Sequence, residues 1–147
     1  MKKYFKEAYY GALVADALSM PVHWYYNRDK LDKDYPNLTD YNSPNPFHPD
    51  SILWRSSYTP VNNLGNILHD HSKYWGKKNI HYHQFLNAGE NTLNLRLAIN
   101  CYEFVVNSGS IHLKKWLNNY TKLIYSHLEQ RYLLKNIIEV FYKRFKS

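Results

Sequence analysis

A chain of 147 residues fits one domain, 1–147, and can bury a core, because chains of this size hide roughly 68–70% of their unfolded surface. The formal charge of +7 invites a nucleic-acid reading. The basic residues, however, are scattered over Lys2, Lys3 and Lys6, over Lys77 and Lys78, over Lys114 and Lys115, and from Arg131 to Lys146. They form no run of five and accompany no nucleic-acid motif, so nucleic acid is not an expected partner.

No stretch approaches the ~20 apolar residues of a membrane span. Glu7 and Asp16 interrupt anything resembling a signal-peptide core, so a cytoplasmic protein without a membrane partner is expected. The single cysteine, Cys101, excludes an internal disulfide and a multi-thiolate zinc site. Among its apolar neighbours it reads as a buried small hydrophobe. The 15 tyrosines and 4 tryptophans carry polar handles, which places some of them at a pocket or interface.

Residues 3–20 read as a helix, with Tyr4, Ala8, Ala12 and Ala15 at spacings of four and three and Pro21 as the stop. Its small-residue face, Ala8, Gly11, Ala12, Ala15 and Ser19, suits close approach of another helix and a central position. From 27 to 66, Asn and Pro turn signals predict a long irregular segment. Its interleaved Tyr35, Tyr41, Phe47, Trp54 and Tyr58 argue for an ordered loop over a pocket. A short helix is expected over 63–76. Leu93, Leu97, Cys101, Phe104 and Val105 make a helical stripe over 91–107, ended by Ser108-Gly109-Ser110. Residues 111–146 predict one long helix, or two with a joint near Ser126-His127. No strand-like alternation of useful length interrupts this pattern, and the expected class is all-α.

Two His-x-His pairs stand out, His69/His71 and His81/His83. On an extended segment such imidazoles share a face and can bind one metal, whereas on a helix they diverge. The first pair falls in the expected short helix and reads as surface or hydrogen-bonded histidines; the second stays open. Gly89-Glu90-Asn91-Thr92 lies where a loop turns into a helix. Such a junction presents free backbone N–H groups, and its carboxylate, amide and hydroxyl oxygens suit a hard cation such as Mg²⁺. It is also an ordinary helix start.

Gly11-Ala-Leu-Val-Ala15-Asp16-Ala17-Leu-Ser19-Met-Pro21-Val-His23 resembles the opening helix of ADP-ribosylglycohydrolases, Gly-x-x-x-Gly-Asp-Ala-x-Gly-x-Pro-x-Glu. Glu90, Asn91 and Thr92 take the place of that family's Thr-Asp-Asp-Thr at the head of an apolar helix. The stretches Pro21–Tyr26, His48–Leu53 and His81–Asn94 resemble a bacterial-type branch, so the likeness spans roughly 8–145. It implies an orthogonal all-α helical bundle. It also implies Mg²⁺-dependent hydrolytic removal of ADP-ribose from protein or small-molecule adducts. By that resemblance Glu90, Asn91 and Thr92 are metal ligands, and His23 and Glu90 are catalytic. Asp16, Trp24, Tyr25, His81 and His83 contact substrate, with Trp24, Tyr25 or Trp54 free to stack on adenine.

Glu90-Asn91 supplies one carboxylate where the family has two, and His23 stands at a glutamate position. After residue 100 the acids are Glu103, Glu129 and Glu139, each isolated, with no counterpart of the family's Asp-rich carboxyl-terminal metal motif. The expectation is therefore the amino-terminal half of such a protein, truncated before that motif. A second polypeptide or a homo-oligomer would complete its site. The alternative is a non-catalytic module that binds ADP-ribose, another nucleotide or a partner.

Overall fold

The computed structural model describes residues 2–57, 59 and 68–125. Four α-helices appear in chain order: α1 (Lys2–Ser19), α2 (Arg28–Asp34), α3 (Leu93–Ser108) and α4 (Leu113–Tyr125). Short 3₁₀ turns occupy Met20–Val22, Leu53–Arg55 and His69–Tyr74. Among the described residues there is no strand, only an isolated bridge between Phe47 and Ile80. The fold is all-α.

The core gathers where α3 and α4 meet the end of α1. Met20, Leu68, Leu86, Leu93, Trp116, Leu117 and Tyr120 are buried together, with Trp75, Leu97, Cys101 and Phe104 packed against them. The spacing of Leu93, Leu97, Cys101 and Phe104 thus forms the inner face of α3 as expected, and Cys101 is a half-buried free thiol. Gly109 ends α3 at φ +70°, a left-handed conformation that suits residues without a Cβ. Trp116 Nε1 donates to Asn100 Oδ1 at 2.9 Å, which satisfies the one polar atom of the indole as it crosses from α4 to α3.

Two expectations change. The long segment from 27 contains a helix: Asn27 caps α2 by accepting from the Lys30 N–H at 3.1 Å, with Asp29 in its first turn and Lys33 in its last. That helix buries no residue, so it stands on its cap and charges rather than on packing. The small-residue face of α1 is not covered by another helix among the described residues. Ala8, Gly11, Ala12 and Ala15 are exposed, and a Cβ on Gly11 would meet nothing within 4 Å. Only the carboxyl end of α1 is buried, at Ala17, followed by Met20 and Pro21 in the 3₁₀ turn.

The short helix expected over 63–76 appears as the 3₁₀ turn from His69. Residues 60–67, Tyr58 and the expected continuation beyond residue 125, with its joint near Ser126-His127, lie outside the described residues. No helix among the described residues is long and apolar enough to cross a membrane.

Candidate functional site

The end of α1 is the hub of two polar networks. The first joins it to the head of α3. Thr92 is the residue before that helix, in an extended conformation, but its side chain does not cap its own helix. Asp16 supplies the cap from α1 instead. Its Oδ2 accepts from the Thr92 N–H at 2.7 Å, and its Oδ1 accepts from the Thr92 hydroxyl at 2.8 Å. Asn91 Nδ2 donates to the same Oδ2 at 3.1 Å and to the Leu13 carbonyl at 2.7 Å. A carboxylate beside the free N–H groups of a helix start is favoured by charge as well as by hydrogen bonding. Two sequence motifs some 75 residues apart therefore meet at one carboxylate.

Glu90 belongs to a neighbouring turn. Its Oε2 accepts from the Asn87 N–H at 2.7 Å and from Asn87 Nδ2 at 3.3 Å. Its own N–H donates to the Asn87 carbonyl at 3.1 Å. Gly89, at φ +82°, closes the turn against the Tyr41 ring.

Glu90, Asn91 and Thr92 carry oxygens of the kind Mg²⁺ accepts. As they stand they do not fit a Mg²⁺ centre. Thr92 is 0% exposed and turns its hydroxyl to Asp16, both Asp16 oxygens hold α3, and Glu90 closes its own loop. Among the described residues no group of three His, Cys, Asp or Glu side chains is arranged for a metal ion.

The second network is made of imidazoles. His48, His81 and His83 are each 0% exposed, while His23 is half-buried. His81 Nε2 lies 2.9 Å from the Pro21 carbonyl, and its Nδ1 accepts from the His83 N–H at 3.0 Å. His48 repeats that arrangement, with Nε2 at 2.8 Å from the His23 carbonyl and Nδ1 accepting from the Asp50 N–H at 3.2 Å. A ring nitrogen against a carbonyl must carry the proton, and one that accepts an N–H cannot. Both rings are therefore fixed as the neutral Nε2–H tautomer.

His23 Nδ1 lies 3.1 Å from His83 Nε2, and His23 Nε2 lies 3.3 Å from Ser19 Oγ. The Ser19 hydroxyl donates to the Asp16 carbonyl at 3.3 Å. Since that hydroxyl has one proton, His23 Nε2 donates to Ser19 and His83 Nε2 donates to His23. The remaining atom, His83 Nδ1, is a buried lone pair without a partner. Burial pushes His81 down from the ordinary 6.5 to about 4 and His83 well below its ordinary value. Burial also lowers His23, against the opposing charge of Asp16.

Of the residues singled out by sequence, Asp16, Asn91 and Thr92 form one cluster, and His23, His81 and His83 another. Glu90 adjoins the first. Tyr25 is occupied in the second: its hydroxyl donates to Asp34 Oδ2 at 2.7 Å and its ring lies 4.2 Å from that of His48. Burial, then that hydrogen bond, push its phenol well up, beyond the usual tyrosine range. Trp24 is the residue open to a ligand. It is 36% exposed, holds φ +71° and leans on Tyr82 with ring centroids 5.4 Å apart. A bulky residue in that left-handed region is uncommon, and such strain gathers at ligand-handling sites.

Trp54 lies apart, with Arg55 4.9 Å and Lys78 5.6 Å from its ring. Of the first His-x-His pair, His71 stacks on Phe85 at 4.1 Å. Sequence reasoning missed His48, Ser19 and Tyr82. Only the His48–Leu53 stretch as a whole hinted at the first, because a lone histidine between Phe47 and Pro49 has no spacing to give it away. Compared with known proteins, the chain matches no family model, no curated protein and no solved structure.

Proposed function

We propose that this chain is an ADP-ribosylglycohydrolase-type module, built on that family's helical bundle, which holds an ADP-ribosyl group. The observation that carries the reading is the clamp from Asp16 to Asn91 and Thr92. It joins two of the stretches on which the resemblance rests, the opening helix and Asn91-Thr92. The exposed Trp24 ring, which leans on Tyr82, offers an aromatic face to adenine. Glu90 and the Asn91 amide oxygen offer acceptors to ribose hydroxyls.

Binding rather than cleavage is the proposed act, because the clamp residues hold helices together in place of a cation. Carboxylates from a second polypeptide or another copy of this chain are the proposed source of a complete Mg²⁺ site and of hydrolysis. The cytoplasm is the proposed setting, in keeping with the free thiol of Cys101.

Thermal unfolding of the full chain with ADP-ribose, with and without Mg²⁺, tests this. Ligand at a hundred times its Kd adds about 2.7 kcal/mol to stability. A shift with ADP-ribose alone, lost in Trp24→Ala, is the expected result. A shift that needs both ligands, with release of ADP-ribose from an adduct, would turn the reading to a hydrolase. No shift in a cooperatively folding protein would remove it.

A further inference from the structure

The four imidazoles do more than fill space. His48 and His81 come from separate loops, yet both hold the same short segment after α1, at the His23 and Pro21 carbonyls. That segment leads directly into the strained Trp24. Each of these two rings accepts a backbone N–H at Nδ1, so adding a proton there sets N–H against N–H and breaks the contact. The His23–His83 contact has room for one proton between its two nitrogens. A further proton must go to the buried, partnerless Nδ1 of His83, where no acceptor stabilises the charge. The knot as folded is a neutral object.

We propose that His23, His48, His81 and His83 form a proton-operated latch, which holds the Pro21–Trp24 segment at neutral pH and releases it, with the loops around His48 and His81, on acidification.

The groups facing the knot do not reverse this, although the Asp16 carboxylate opposes it at His23. From α1 come the Ser19 hydroxyl and the Asp16 carboxylate, and the latter acts on His23 while holding Thr92 and Asn91. From the segment after α1, the Tyr25 ring lies against His48 with its hydroxyl on Asp34. From the His48 loop, the Asp50 carboxylate is held by the Tyr26 and Asn27 N–H groups and by Lys30. From the His81 loop comes Tyr82, against Trp24.

The direction of the effect follows from burial. His23, His81 and His83 are all harder to protonate in the folded protein than in the open chain. The latch is therefore intact above about pH 6.5 and weakens as pH falls. Each such histidine costs the closed form about tenfold per pH unit, down to its own folded value. For His81 alone, the span from 6.5 to about 4 is a loss of about 300-fold.

The test is amide hydrogen exchange of the full chain between pH 7.5 and 4.5, with protection factors corrected for intrinsic rates. The Asp50 and His83 amides, which donate to the two Nδ1 atoms, are expected to lose protection at least tenfold per pH unit below 6.5, before the α3 amides do. Constant protection, or loss together with α3, overturns the latch. Nitrogen-15 NMR of the imidazoles gives a second reading on the unaltered protein. Neutral Nε2–H tautomers for His48 and His81 at pH 7, lost together with that protection, support it. An imidazolium ring in either residue with protection unchanged overturns it. In His83→Phe, which keeps a ring and removes the titrating nitrogens, the acid-side slope is expected to fall by one proton, and an unchanged slope excludes His83 from the latch.

Discussion

The Asp16 clamp and the histidine knot perform the same structural task by opposite electrostatics. Both tie the carboxyl end of α1 to parts of the chain some 25 to 76 residues away. The clamp concentrates charge: three hydrogen bonds from Asn91 and Thr92 converge on one carboxylate at a helix start. The knot excludes charge, because the His48 and His81 rings donate at one nitrogen and accept at the other. A buried polar group is stable when every proton has an acceptor, and the two regions meet that condition with different proton counts. Replacing their central side chains should therefore produce different pH signatures.

The largest effect is expected at the clamp. Asp16→Ala leaves the Thr92 N–H, the Thr92 hydroxyl and one Asn91 bond without their acceptor, at a cost of about 3 kcal/mol. For a chain of this length that lowers Tm by about 9 °C, measurable by calorimetry at pH 7.5. A loss under 1 kcal/mol would mean that water replaces the carboxylate and that the clamp is incidental. His81→Ala comes next, at about 2 kcal/mol at pH 7.5, because it opens a cavity and strands the His83 N–H. Its signature is that the difference from wild type shrinks on acidification. Wild type loses the contribution of neutral His81 between pH 6.5 and its folded value of about 4, whereas the variant has none to lose. By pH 5 the gap should narrow by about 2 kcal/mol. Urea titrations at the two pH values measure it, and a constant gap breaks the contrast between the regions.

How much of this could be read from the chain depends on how local its causes are. The α3 stripe from Leu93 to Phe104 and its stop at Gly109 are local patterns, and the structure follows them. The helix α2 was equally local, with Asn27 as cap, Asp29 at its start and Lys33 at its end. It was obscured because it buries no residue, so it carries no apolar stripe. The exposed Ala8–Ala15 face of α1 shows the reverse failure, a packing pattern without a partner among the described residues. Both motifs of the clamp were visible, but their meeting was not. The knot was visible only as the pair His81/His83, since His23 and His48 reach it from loops with no shared spacing.

Two finer substitutions probe the boundary between the regions. Thr92→Val keeps the shape of a fully buried residue and the N–H bond to Asp16, but removes the hydroxyl donor at 2.8 Å. It should cost about 1 kcal/mol, with no change in the acid-side slope, and an altered slope would show that the clamp and the knot titrate as one unit.

The smallest expected effect concerns a charge that acts across from one region to the other, the pull of Asp16 on His23. In Asp16→Asn the side-chain oxygen can still accept from the Thr92 N–H, and the new amide can donate to the Thr92 hydroxyl oxygen. The Asn91 bond to that same oxygen is kept, the Thr92 hydroxyl loses its acceptor, and the negative charge is gone. Asp16 favours protonated His23 against the burial that lowers its titration, so removing the charge should lower that titration further. Proton NMR of the His23 ring measures the midpoint directly. A downward movement keeps the knot neutral to lower pH even as the clamp loses strength, which is the clearest way to see that one region works by holding a charge and the other by refusing one. An upward movement would mean that the loosened end of α1 had admitted water to His23, so that the clamp shields the knot instead of charging it.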